Sequence, residues 1–520
     1  MIRRGAVPFG PVSTLRSAAL SVAIVAAGVA AASAAAWLVD GFGIGPNALV
    51  PLAAALVVSV VAWKWPAEGL LTFGVFALLA DTLEHWLDVD ILLFDEIGLL
   101  LLALSALIGR HVDLDRLRLG WLEGGIAVLA IAGVLSSVVA GVQPMTWLAS
   151  LFLLLKGVAF FELTRLMRLT PSDAERMGVT MLLIAGVITA LGFAEWVDQA
   201  TFQRVLGLPA FELQREGVPV IRAVFLHPAQ FGWLTAYASL LCYAVFITRG
   251  TWWALPAGIA FNVGTFLSGR RTPLIGVAAA VGLGLVWWSL RLGARRALVR
   301  IWVPVAIVVV VGILVATPSL IRLVDLTIDE YAPSLGPAGE IFSERPRAEV
   351  ISVVQPRVAL YAASAAIARD SFPLGGGLGR FGSHLSRENY SPLYERYGLD
   401  QIRLLRPEDP QAATDAFWPM VLGETGAVGL VAALVIFVGM AVTLWRSASG
   451  AHSVQMRTIA LAGLFVVVEG LIRSATSSVY VAPPIGYFVL GTAGVALAAA
   501  AHDLRHGDRS VVGPRQMEGS

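Results

Sequence analysis

Apolar runs of about 20 residues recur along this chain, and nothing else in it constrains the fold as strongly. A helix needs about 20 mainly apolar residues to cross the hydrocarbon of a bilayer. Backbone in that hydrocarbon must also satisfy its own hydrogen bonds. Candidate spans fall near residues 17–38, 47–63, 67–80, 91–109, 124–142, 145–167, 177–196, 226–248, 252–268, 272–290, 300–318, 416–445, 456–474 and 483–501. The third is short and the twelfth is long enough to tilt or bend, so twelve to fourteen spans are expected. The fold class is all-α, a polytopic membrane protein. Of the 520 residues 57% are hydrophobic and 14% are charged, against about a quarter charged in a soluble domain. A net charge of +1 gives no footprint for bulk nucleic-acid binding. The single cysteine, Cys242, lies inside an apolar run, which excludes an intrachain disulfide framework and a cysteine-based zinc site.

Charge asymmetry predicts the orientation. With Arg3, Arg4 and Arg16 in the cytoplasm, the even-numbered connections share that side. They carry Lys64, then Arg110, Arg116 and Arg118, then Arg168 and Arg176, Arg249, the 291–296 arginines and Arg446. The short odd-numbered connections are neutral or acidic, as the positive-inside rule requires. Both termini are then cytoplasmic. The Ala32-Ser33-Ala34 stretch resembles a signal-peptide cleavage site, but its apolar run is long for that purpose, so the first span is expected to be retained. Four regions result: a bundle over 1–320 with a medium outer loop at 197–225, a large polar loop over 321–414, further spans over 415–501, and a tail over 502–520. The large loop is extracytoplasmic in this arrangement. Cations in two short outer connections, Arg270-Arg271 and Arg473, run against the rule and point to an anion site.

Three arginine-bearing segments are expected on that outer face. The first is Arg222-Ala223-Val224-Phe225-Leu226-His227-Pro228-Ala229-Gln230-Phe231-Gly232, where Pro228 begins a helix. The second is Ser268-Gly269-Arg270-Arg271. The third is Arg357, on an amphipathic stretch over 349–370. Arginine carries a permanent charge and a planar fork of donors that suits bidentate phosphate binding. Arg222, Arg270, Arg357 and Arg271 are therefore candidates for a diphosphate, with no metal ion and no cofactor. The run Gly375-Gly376-Gly377-Leu378-Gly379 lets backbone N–H groups approach an anion, or simply turns the chain. Gly375, Gly377 and Gly379 are its candidate positions. It is not a P-loop, because Lys-Ser/Thr is missing.

Those segments, followed by Pro373 to Phe381 and then Leu422-Gly423-Glu424-Thr425-Gly426-Ala427-Val428-Gly429, resemble the O-antigen ligase and polymerase superfamily over roughly residues 222–430. The order and spacing of the motifs carry the resemblance. It implies a C-type membrane glycosyltransferase at the outer face of a bacterial inner membrane. Such an enzyme takes glycan from undecaprenyl diphosphate, without a metal, and inverts the anomeric carbon. The ligases carry His-Asn nine residues before the glutamate of the Leu-x-Glu-x-Gly segment, and here those positions hold Asp415 and Ala416. Asp415 is then the candidate base, with His384 and Glu424 as alternatives. The missing histidine favours a repeat-unit polymerase over a ligase acting on lipid A-core or protein. A glycan transporter is the rival from another class. Its ionisable residues and repeats would sit near mid-membrane.

The remaining charges have plainer readings. The stretch His85-Trp86-Leu87-Asp88-Val89-Asp90 reads as a solvated acidic loop. Lys156 and Glu162 are six apart on one span, poor spacing for a mutual pair. Glu195 is expected to reach the interface, and Glu469 with Arg473 is spaced for an ion pair. Trp63, Trp65, Trp252 and Trp253 form an interfacial belt.

Overall fold

The computed structural model of the protein describes residues 17–31, 49–88, 91, 93–117, 120–211, 213–215, 218–292 and 356–511. The expected span at 300–318 and the first part of the polar loop, 321–355, lie outside the described residues, as does Asp90.

Among the described residues nine helices are long and apolar enough to cross a membrane. They are α3 (Pro66–Leu87), α5 (Trp121–Val139), α6 (Pro144–Leu166), α7 (Pro171–Val197), α9 (Pro228–Arg249), α11 (Thr272–Leu292), α15 (Phe417–Gly450), α16 (Val454–Arg473) and α17 (Ile485–Val511). Four shorter helices fill the other expected places: α1 (Ser17–Ala31), α2 (Leu49–Lys64), α4 (Phe94–Ile108) and α10 (Ala254–Leu267). The third span is longer than its apolar run, because α3 continues through Asp81 and Glu84. The polar segment contributes α12 (Pro356–Asp370), α13 (His384–Glu388) and α14 (Pro392–Arg396). The medium loop holds α8 (Gln199–Val205) and a ribbon of β1 (Gln214–Arg215) against β2 (Val218–Pro219).

Local sequence starts these helices. Proline opens α3, α6, α7 and α9, where its missing N–H is not needed. Thr170 and Asp173 form a capping box on α7, and the Ser453 hydroxyl accepts from the Met456 N–H to cap α16.

Successive helices run antiparallel, so their connections sort to two ends. At one end the His85 ring pairs with the Gly207 carbonyl, Gln230 with Asp81, and Thr476 with Thr272. The described part of the polar segment sits there, and we refer to it as the loop end. At the opposite end the His111 ring meets the Trp63 carbonyl, and Arg249 pairs with Glu175. Trp63, Trp65, Trp252 and Trp253 are all exposed at this second end.

Several buried charges inside the bundle are paired. Lys156 reaches across to α4 and bonds Asp95 and Glu96, each at 2.7 Å, and the Tyr487 hydroxyl donates to Asp95 at 2.9 Å. Glu162 pairs with Arg165, and Glu469 with Arg473. Such pairing is what a low-dielectric interior demands.

α15 is broken at Gly426, whose φ of 72° and ψ of −165° are not helical. The glycine run fills that break. Gly376 N–H donates to the Gly423 carbonyl at 2.7 Å and Gly377 N–H to the Glu424 carbonyl at 3.1 Å. Irregular backbone at this depth is tolerated because other protein backbone satisfies it.

Candidate functional site

The start of α9 and the turn between α10 and α11 build one corner of the loop end. His227 is the N-cap of α9, and its Nδ1 accepts from the Ala229 N–H at 3.1 Å. A neutral ring has one acceptor nitrogen, which takes either this bond at Nδ1 or one from Arg270 at Nε2. Nε2 lies 3.3 Å from a terminal guanidinium nitrogen of Arg270. The guanidinium can only donate, and it is the group that an oxyanion placed at this corner would meet. Burial, and then the charge of Arg270, hold the His227 pKa below its ordinary value, with Asp81 opposing. Small residues permit this approach. A Cβ on Gly232 would come within 2.2 Å of the Ser268 hydroxyl, and Gly269, at φ 69°, makes the turn that presents Arg270. Arg271 follows at the start of α11, its carbonyl accepting from the Leu274 N–H at 3.0 Å.

Arg222 lies at the same end, but its side chain serves the medium loop. Its guanidinium donates to the Leu226 and Pro209 carbonyls and stacks on Phe211 with 4.9 Å to the ring centre. It is 2% exposed. Its backbone N–H and that of Ala223 both donate to Glu195, at 2.8 and 2.7 Å. Glu195 is thus fully buried and organises the loop instead of reaching the interface.

On the other side of the turn after α16, Arg357 pairs with Asp415 at 3.0 Å, both side chains about 40% exposed. An ion pair that wet contributes about 0–1 kcal/mol to stability. The turn itself bridges the two corners. Thr476 contacts Thr272, next to Arg271, while the Ala475 carbonyl accepts from Tyr361 of α12 at 2.8 Å. The Ser478 hydroxyl donates to the Thr414 carbonyl, and Phe417 N–H to the Ser474 carbonyl.

Glu424 and the glycine run form a third cluster. The Glu424 carboxyl is buried and accepts from the Phe381 N–H at 3.0 Å and the Ser383 hydroxyl at 2.7 Å. The run's own N–H groups are taken up inside the protein. Gly375 donates to the Ser136 hydroxyl at 3.0 Å and Leu378 to the Ser137 hydroxyl at 2.9 Å. A Cβ on Gly375 would fall 2.5 Å from the Glu424 carbonyl carbon. Gly377 (φ 94°) packs on Ser137 and Val142, and Gly379 (φ 78°) on Thr146 and Ser150. Of the two uses expected for the run, the geometry matches the turn: a close-packed crossing, its N–H groups bonded internally. His384 begins α13, half exposed, with Nδ1 3.4 Å from Glu388. Its pKa is lowered, chiefly by burial.

The structure therefore gathers Arg270, Arg271 and His227 at one corner, Arg357 and Asp415 at a second, and Glu424 with Gly375, Gly377 and Gly379 beneath. His227 received no role of its own from the sequence, although it stands in the motif with Pro228. The signal was its place immediately before a helix-opening proline, where a side-chain acceptor is useful. No protein-family model matches the chain, and no curated protein matches it.

Proposed function

We propose that the protein is a membrane glycosyltransferase that transfers or polymerises glycan carried on undecaprenyl diphosphate. In this reading the loop end faces the outer side of a bacterial inner membrane, and repeat-unit polymerisation is favoured over ligation. The observation that carries it is the Arg270 guanidinium beside His227 Nε2, 3.3 Å apart at the loop end. The resemblance of residues 222–430 to the O-antigen ligase and polymerase superfamily supplies the substrate class.

In the proposed reaction Arg270 holds the donor's diphosphate, with His227 and Arg271 adjacent. Asp415, oriented by Arg357, takes the proton of the acceptor hydroxyl. The hydroxyl oxygen forms a bond to the anomeric carbon from the face opposite the diphosphate. The bond from that carbon to the diphosphate oxygen breaks, and its electron pair leaves with the lipid diphosphate. Arg270 stabilises the charge that develops. Glu424 and Arg222 act through position, one on the glycine run and the other on the medium loop.

The test is transfer by purified protein in vesicles loaded with carrier-linked glycan. New glycosidic bonds are expected, and Arg270→Ala should lower the rate at least about 100-fold, the scale for one lost charge-stabilising donor. Asp415→Asn should lower kcat with little change in KM. Movement of the glycan across the vesicle without bond formation would replace this reading with transport. Unchanged glycan length with Arg270→Ala would remove the diphosphate site.

A further inference from the structure

A second feature lies at the end of the bundle opposite the loop end. There a deep apolar pocket runs between α7 on one side and α9, α16 and α17 on the other. Glu175, Arg249 and Trp253 line its mouth. Four successive turns of α9 line its depth, through Arg249, Val245, Leu241 and Tyr237. Its inner wall is aromatic. The Tyr237 hydroxyl pairs with the Thr492 hydroxyl at 2.9 Å, and the Tyr237 ring stands edge-on to Phe488 with centroids 5.7 Å apart. Gly178 of α7 leaves room in the side wall, since a Cβ there would meet nothing within 4 Å. The mouth carries both signs of charge. Arg249 Nη1 pairs with Glu175 Oε1 at 2.7 Å, and Arg249 Nε donates to the Thr458 hydroxyl at 3.2 Å. Its other terminal nitrogen, Nη2, makes no hydrogen bond among the described residues, and the side chain is 31% exposed. Glu175 Oε2 accepts from Gln455 at 2.6 Å, and the carboxylate has lone pairs for further donors.

We infer that this pocket seats one acyl chain of a zwitterionic phospholipid with a primary ammonium headgroup, its phosphate on Arg249 and its ammonium on Glu175. The wall is mostly apolar, so hydrocarbon fills it. Length selects the chain. From Tyr237 to Arg249 is 12 residues of helix, roughly 18 Å. One leaflet of a bilayer supplies about 15 Å of hydrocarbon. The pocket thus has the depth of a single leaflet, and Tyr237 stands near the middle of α9. A chain that passed the midplane would meet the Tyr237–Thr492 pair. Charge selects the head. Arg249 and Glu175 together are neutral, which complements a phosphate and an ammonium carried on one molecule. A purely anionic head would set a like charge beside Glu175, and a quaternary ammonium has no N–H to donate to it. Trp253, 48% exposed, marks the depth at which headgroups lie. Such a lipid packs α7 against α9 at this end. The site is independent of the Arg270 corner and of the glycan reading.

The experiment uses full-length protein in phosphatidylcholine nanodiscs doped with a phosphatidylethanolamine that carries a diazirine midway along one acyl chain. Adducts mapped by peptide mass spectrometry are expected on the pocket residues of α7 and α9. The matching phosphatidylcholine probe should give about tenfold fewer, the equivalent of one charge-assisted hydrogen bond lost. Gly178→Leu, whose new side chain has room, should leave the fold intact and cut the adducts about tenfold by excluding about two methylenes. Glu175→Gln should bring the phosphatidylethanolamine probe down to the phosphatidylcholine level and leave the latter unchanged. Equal labelling by the two headgroups in the wild type would overturn the inference. So would adducts undiminished in Gly178→Leu, or adducts spread evenly over all spans. Stronger labelling by a phosphatidylglycerol probe would also overturn it, since the mouth would then select net negative charge.

Discussion

Replacing Glu424 separates a structural carboxyl from a chemical one. In the folded protein it accepts from the Phe381 N–H and the Ser383 hydroxyl. It is 3% exposed. Glu424→Ala leaves both donors buried without a partner. Each orphaned donor costs about 1–3 kcal/mol, so the pair costs about 2–6 kcal/mol. The loss should fall on the polar segment, because the two donors lie just after the glycine run. Thermal unfolding in detergent and limited proteolysis give the two readouts. The variant should melt earlier, and trypsin should cut the segment at sites protected in the wild type. Glu424→Gln keeps one carbonyl acceptor and should fall between the two, with transfer surviving in proportion to folded protein. If Glu424→Ala melts like the wild type, keeps its protease resistance and yet transfers nothing, the carboxyl takes part in the reaction and our assignment of a positioning role is wrong.

Two further outcomes follow. Gly377→Ala forces a side chain into φ 94° and sets its Cβ 3.2 Å from the Ser137 backbone, so about 1–3 kcal/mol of stability should be lost. Gly398→Ala, at φ 70° with open space around it, is the milder control. His227 should give a pH signature. Its folded pKa is below the unfolded value of about 6.5, so the stability it contributes is complete above that value and is lost as the pH falls toward the folded one. The protonated ring would lose its bond from the Ala229 N–H and stand beside Arg270. His227→Asn retains a capping side chain and should flatten the acid limb of a melting-temperature profile.

The bundle was legible because bilayer thickness imposes a length on every span, and apolar runs record that length directly. Where polar residues continue a helix beyond the hydrocarbon, the apolar run understates it, as α3 does by reaching Leu87. Partners across helices left no local trace. Nothing around Lys156 in the sequence names Asp95 and Glu96, which meet it only through tertiary packing. Glu195 sits near a span end, and position alone placed it at the interface. Its two backbone donors come from residues 27 and 28 further on. Arg222 illustrates the same limit. Its residue type and its place beside a span end were readable, but the direction of its guanidinium depends on how the medium loop folds over it.

The hydroxyls of Ser136 and Ser137 wait for partners 239 and 241 residues later in the chain. During synthesis α5 must therefore enter the membrane with both hydroxyl oxygens lacking these donors, although Ser137 already donates to the Gly133 carbonyl of its own helix. The crossing can close only after Gly375 and Leu378 have been made and α15 has supplied the carbonyls of Gly423 and Glu424. Docking of the glycine run is thus a late event in assembly. A chain truncated before residue 423 would insert most of its spans and still leave this crossing unmade.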